Sequence, residues 1–253
     1  MTAMPHVPAA VAAAPVVELR DATVQLVPGR PPALDRVFLR IAPGERVALV
    51  GANGSGKSTL LRTLHRLQPL TTGALHTASG ARQAMLFQRP HLLRLSALRN
   101  IALGLWLQGT PWRVARARAG EALRRVELEA LADANARALS GGQQQRLALA
   151  RAWALRPAVW LLDEPTASLD PHAKREVEAL IAEFTTAGQP DGTPTTVIFS
   201  SHNLGQVKRL ASRVVYLEQG RLLADLPVAE FFNHEVLRAV CPQADLFVQG
   251  ESL

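Results

Sequence analysis

From residue 16 the chain alternates short apolar runs with turn residues. Residues 16–19, 23–27 and 37–41 read as β-strands separated by Pro28-Gly29 and Pro43-Gly44, and they predict an antiparallel opening layer. Then the pattern changes. Residues 46–50 are an apolar run ending at a glycine, and 57–67 carry Leu60, Leu61, Leu64 and Leu67 at helical spacing, which predicts a strand, a loop and a helix in that order. A short buried strand is expected at 84–87, followed by helices at 97–105, 114–126 and 143–155 that read as an inserted helical lobe. Strands return at 159–162, 195–199 and 213–217, with helices at 173–184 and 204–210 between them. Such alternation predicts a parallel sheet core. There is no internal repeat; the Gly/Pro-rich stretch 188–194 is expected to be an exposed loop, and residues 1–15 a flexible Ala/Pro tail.

Composition narrows the class. The 253 residues are of single-domain size, and 48% apolar with 19% charged residues sets intrinsic disorder aside. No apolar run reaches the ~18 residues of a spanning helix; residues 7–17 come nearest and are broken by Pro8 and Pro15. No Lys or Arg precedes Arg20, so the basic start of a signal peptide is missing. One cysteine, Cys241, excludes an intramolecular disulfide and a cysteine-clustered zinc site, which fits a reducing compartment such as the cytosol. The net charge is +7, and of 28 basic residues only Lys57, Lys174 and Lys208 are lysines. That charge suits nucleic acid, an anionic membrane surface or polyphosphate ligands, as well as a merely solvated arginine-rich surface.

Two motifs carry chemistry. Gly51-Ala52-Asn53-Gly54-Ser55-Gly56-Lys57-Ser58-Thr59 fits G-x-x-x-x-G-K-[ST] and lies between a predicted strand and a predicted helix. Glycines let consecutive backbone N–H groups curl around phosphate oxygens, Lys57 reaches the β/γ-phosphates, and Ser58 ligates Mg²⁺. The second motif is the apolar run from Val159 that ends in Asp163 and Glu164, two carboxylates delivered where parallel sheets bind ligands. Asp163 is placed to hold Mg²⁺, directly or through its water, and Glu164 to act as general base on the attacking water. Together they predict a P-loop NTPase.

A third motif gives a resemblance. Leu139-Ser140-Gly141-Gly142-Gln143, followed by Gln144-Gln145-Arg146, is similar to the signature of ATP-binding cassette (ABC) proteins. Physically, Ser140 caps the following helix, and the two glycines let its N–H groups approach a phosphate. The resemblance runs from about Val16 to Arg221 and implies the ABC ATPase fold: an α/β P-loop core with an antiparallel β subdomain and an inserted α-helical subdomain, about 89–156. It assigns residues 16–225 to the ATPase domain and 226–253 to a short C-terminal extension. It implies ATP and Mg²⁺ as ligands, Gln88 as the glutamine that contacts Mg²⁺ or the attacking water, Ser168-Leu169-Asp170 as the D-loop, and His202 as the switch histidine.

It also implies partners. Cassettes of this family pair head to tail, each ATP lying between Lys57 of one and Ser140 of the other, so a homodimer or a dimer with a related cassette is implied. Integral membrane permease subunits, an extracytoplasmic solute-binding protein and a peripheral place on the cytoplasmic face of the membrane follow for a transporter cassette; nucleic acid is not expected. The chain has neither the coiled-coil insertion of repair members nor the second cassette of translation members. Residues 88–90, 139–151 and 200–209 look most like importer cassettes for tungstate and related oxyanions, with phosphate or another solute as the alternative, and a soluble ATPase acting on nucleic acid or ribosomes as the competing class. One departure stands out: where the family has an aromatic residue against the adenine, this chain has Gln25, Leu26 and Val27, so aliphatic packing, or stacking supplied elsewhere in the chain, and poor ATP/GTP discrimination are expected.

Overall fold

In the computed structural model, residues 14–186, 188, 192 and 194–250 are described. The chain opens with β1 (Val17–Val24) and β2 (Leu34–Ile41), then runs through β3 (Arg46–Val50), α1 (Lys57–Leu64), β4 (Thr72–Thr77) and β5 (Gln83–Leu86). A helical stretch of α2 (Ala97–Leu107), α3 (Trp112–Arg125) and α4 (Gly141–Ala154) follows. Beyond it come β6 (Val159–Asp163), α5 (Pro171–Thr186), β7 (Thr196–Ser200), α6 (Leu204–Leu210), β8 (Arg213–Glu218) and β9 (Arg221–Pro227). Three short helices, α7 (Val228–Phe231), α8 (His234–Val240) and α9 (Pro242–Gly250), come last.

Among the described residues the strands form two sheets. An antiparallel sheet has the order β2-β1-β4, and a six-stranded sheet the order β5-β6-β7-β3-β8-β9, parallel except where β9 pairs with β8. Successive side chains of a strand face opposite sides, so β3 feeds two cores. Val47 and Leu49 meet the antiparallel sheet and Leu60, Leu61 and Leu64 of α1. Ala48 and Val50 meet the core that contains Leu147 and Leu149 of α4 and Val177 of α5. Each fully buried Val or Leu among these stabilises the fold by about 1.5–3 kcal/mol.

The opening layer departs from its pattern. The strands expected at 16–19 and 23–27 are one strand, bulged where Asp21 takes φ 49, and it stops at Val24. Residues 25–27 leave the sheet because Gln25 N donates to Thr71 Oγ1 (2.9 Å) while its side-chain amide donates to the carbonyls of Val27 and Arg30, folding the chain into a loop. Likewise α1 ends before Leu67: Arg66 adopts φ 62, Leu67 N turns back to Arg62 O (2.8 Å), and Leu67 is exposed. β4, β9 and the three closing helices have no counterpart in the predicted elements. The tail expected at 1–15 and the loop expected at 188–194 lie for the most part outside the described residues.

Polar and aromatic contacts tie the layers together. Arg213 on β8 is buried; its guanidinium donates through Nε and Nη2 to both oxygens of Asp225 on β9 (2.5 Å each) and through Nη1 to Glu45 Oε2 (2.9 Å) and Arg40 O (2.9 Å), so it joins the two sheets. Trp153 of α4 stacks on Phe184 of α5 at 5.5 Å, and Trp160 of β6 lies 5.8 Å from the same ring. Phe247 of α9 packs against Tyr216 of β8 at 5.5 Å, which pins the closing helices to the sheet. Burial pushes the Tyr216 phenol up from 10.0 to about 12, with Glu218 and Cys241 adding to the effect.

Candidate nucleotide site

Four adjacent parallel strands, β5, β6, β7 and β3, end at one edge, and the segment that follows each carries candidate chemistry. This is where open parallel sheets bind ligands. After β3 the glycine loop needs backbone that other residues resist: Gly51 takes φ 141 and Gly56 φ 110. A Cβ on Gly51 would lie 2.1 Å from Leu217 O, and one on Gly56 2.6 Å from Ala33 O. Asn53 and Gly54 are exposed at the tip, and Thr59 is half-buried in the first turn of α1. Lys57 is buried, and its ammonium donates to Gly51 O (2.6 Å) and Ala52 O (2.9 Å).

The loop fits a phosphate chain. No side chain caps α1, whose N-cap is Gly56, so the first-turn N–H groups keep the partial positive charge of a helix start. The Ser55 hydroxyl is buried with no hydrogen-bond partner among the described residues. A buried orphan polar atom is costly unless something meets it.

The next strands add the acidic groups. Ser58 Oγ donates to Asp163 Oδ1 (2.9 Å), and Ser200 Oγ donates to the same oxygen (2.8 Å). Since β7 lies between β3 and β6, the residue paired with Asp163, Ser200, fills the gap between them. Ser200 also accepts from Glu164 N (2.9 Å). The hydroxyl of Ser58 and the carboxylate of Asp163 are hard oxygen donors of the kind Mg²⁺ takes.

Glu164 sits in the left-handed region, φ 45, a strained position for a residue with a side chain. Its carboxylate is mostly buried between two neighbours: Gln88 Nε2 donates to Oε2 (3.0 Å), and His202 Nε2 lies 2.7 Å from Oε1 in an electrostatic contact rather than an aligned hydrogen bond. Gln88, expected at the metal or the water, thus spends its hydrogen bond on the carboxylate.

The remaining candidates lie at helix starts and make local bonds. Ser140 and Gln143 form a reciprocal capping box at the start of α4, ahead of Gly141 and Gly142, and a cap of this kind contributes ~1 kcal/mol. Asp170 is exposed and accepts from Ala173 N (3.1 Å) and His172 N (2.9 Å), bonds that hold its carboxyl below the usual range. Leu26 and Val27 are about half exposed. Ser200 is the site residue missing from the motif reading; a hydroxyl closing the apolar run of β7 was its signal.

A glycine cradle on a parallel sheet, with a hydroxyl–carboxylate pair and a positioned second carboxylate, defines a P-loop nucleotide hydrolase. The profile of the ABC transporter family matches residues 34–167, and the chain belongs to that family. It is 40% identical over 216 residues to an aliphatic sulfonates import ATP-binding protein of Granulibacter bethesdensis, covering 85% of each chain. It is also 40% identical over 225 residues to a nickel import ATP-binding protein of Rhodobacter capsulatus, covering 81% of this chain and 87% of that one. A solved ATP-binding cassette in a dimeric, post-hydrolysis state bound to ADP and Pi aligns with TM-score 0.75 at 30% identity, over 84% of this chain and 98% of that one. The fold is also that of cbiO1 from Clostridium perfringens, TM-score 0.76 at 24% identity, over 94% of this chain and all of the other. The chain is therefore an ABC ATPase, the ATP-binding subunit of an importer.

Proposed function

We propose that this chain powers uptake of a small solute, tungstate or a related oxyanion, by hydrolysing ATP between two copies of itself docked on membrane permease subunits, with an extracytoplasmic protein delivering the solute. Its place is then the cytoplasmic face of the membrane. No helix among the described residues is long and apolar enough to cross a bilayer, which fits a peripheral subunit. The oxyanion reading is supported by the likeness of residues 88–90, 139–151 and 200–209 to such importers and by a relative named for sulfonates, whose head group is an oxyanion. The relative named for nickel marks the other possibility, and phosphate stays in the comparison.

The observation that carries the catalytic reading is the grip on Glu164 beside the Ser58–Asp163 pair. The loop N–H groups, Lys57 and the start of α1 bind the phosphates and stabilise charge that grows on them in the transition state. Mg²⁺, when bound with ATP, neutralises phosphate oxygens, and Ser58 and Asp163 are the residues that would hold it. Glu164 takes a proton from the attacking water. Gln88 and His202 keep its carboxylate aimed.

The test is Glu164→Gln in the purified full-length protein. The amide keeps the shape and accepts no proton, so ATP binding should persist while turnover falls by about 10²- to 10⁴-fold. Near-normal turnover would remove Glu164 from its role. For the solute, uptake of labelled tungstate, molybdate, phosphate and nickel in a strain lacking this chain decides; loss of nickel or phosphate uptake alone would refute the tungstate and molybdate assignment.

A further inference from the structure

We infer that Gln206 is a positioning residue for hydrolysis, holding the turn after Glu164 and the residue before His202 at one fixed spacing. The inference rests on Glu164 acting as the base. Gln206 is 1% exposed on α6, yet its amide is fully engaged. Its Oε1 accepts from Ser201 Oγ (2.7 Å), while Nε2 donates to Thr166 Oγ1 (2.9 Å) and to Glu178 Oε1 (3.2 Å). Ser201 immediately precedes His202, and Thr166 lies two residues after Glu164. One amide therefore links the two segments whose side chains meet at 2.7 Å above it.

The chemistry of the three partners suits an amide. Ser201 offers a donor, whereas Thr166 and Glu178 offer acceptors, so the group between them must both accept and donate. Glu178 is itself fixed, because Arg209 Nε (3.1 Å) and Nη2 (2.7 Å) both donate to its other oxygen, Oε2. The anchor is thus an ion pair between α5 and α6 whose carboxylate, Glu178, is buried while Arg209 reaches it from the surface. The same turn is gripped from its other side by Gln145 of α4, 3% exposed, which donates to Pro165 O (2.7 Å). Two buried amides so hold a turn whose first residue, Glu164, has φ 45 and does not keep that conformation without support. A misplacement of about 1 Å at a catalytic group costs on the order of 10²-fold in rate.

The experiment measures steady-state MgATP hydrolysis by the purified full-length chain carrying Gln206→Met, Thr166→Val, both together, or Glu164→Gln. Methionine keeps the volume and drops the hydrogen bonds. The expected result is a fall in kcat of about tenfold or more in each single variant with KM for ATP within about twofold, and a double variant no slower than the slower single. Unchanged kcat, independent losses that multiply, or a KM that rises in step with the loss would overturn the inference. If Gln206→Met fails to fold, Thr166→Val still removes the bond from the opposite end, and Thr166→Ser, which keeps the hydroxyl, must restore the rate; failure to restore it counts against positioning. Turnover retained by Glu164→Gln sinks the base assignment and the inference with it. Loss in Glu164→Gln with full activity in both Gln206→Met and Thr166→Val sinks the positioning role alone.

Discussion

His65, next to the end of α1, is half-buried, and its Nδ1 has no hydrogen-bond partner among the described residues. Burial disfavours the imidazolium and holds its pKa below the ordinary 6.5, against two weaker backbone bonds that raise it. Below pH 6.5 the unfolded chain therefore binds more protons than the folded one, and stability falls as pH falls through that value. Chemical denaturation above and below pH 6.5 should show His65→Gln with a shallower loss on the acid side than the parent; equal slopes would rule His65 out. At this scale the phosphate loop was legible because its glycines follow from backbone geometry. Ser200, Gln145 and Gln206 were not, because their meaning depends on which strands and helices become neighbours. Nothing along the chain orders β7 between β3 and β6.

Whole elements were legible where apolar periodicity was strong, as in β3, α1, β6 and β7. β4 escaped notice because it is an edge strand with exposed Thr72, Gly73 and His76, so it carries no apolar alternation. β9 escaped because Arg221 and Asp225 interrupt its apolar pattern, and the buried Asp225 makes sense only beside its partner at the start of β8, Arg213. That residue makes a prediction about how elements are joined. Arg213→Met leaves the carboxylates of Asp225 and Glu45 without their shared cation, and Asp225 is buried. Breaking a buried pair from one side costs about 3–5 kcal/mol. Urea unfolding should show a loss of that size, and Arg213→Met with Asp225→Leu should recover part of it; a loss under ~1 kcal/mol would mean the pair is no better than a surface ion pair.

For the whole molecule, the pairing of two copies is the expectation that organises the rest. Ser140 and Asp170 cap their own helices and are exposed, as the proposed pairing, with a second copy's phosphate at the start of α4, requires. Ser140→Arg on the Glu164→Gln background should leave ATP affinity of dilute monomer intact yet abolish ATP-dependent dimerisation in sedimentation. Persistent dimers, or a monomer affinity that collapses as well, would refute the composite site. The contact between α9 and β8 has a consequence of a different kind. Tyr216 is the chain's only tyrosine, and the ring that covers it belongs to Phe247, so its ultraviolet tyrosinate band is an optical reporter of whether the last helix is seated. With the folded phenol at about 12 and the free one at 10.0, the unfolded chain gives up the proton first, and stability falls as pH rises past 10.0. Phe247→Ala should bring the band in at lower pH while the rest of the molecule is still folded, so that the undocking of one helix is read by colour alone.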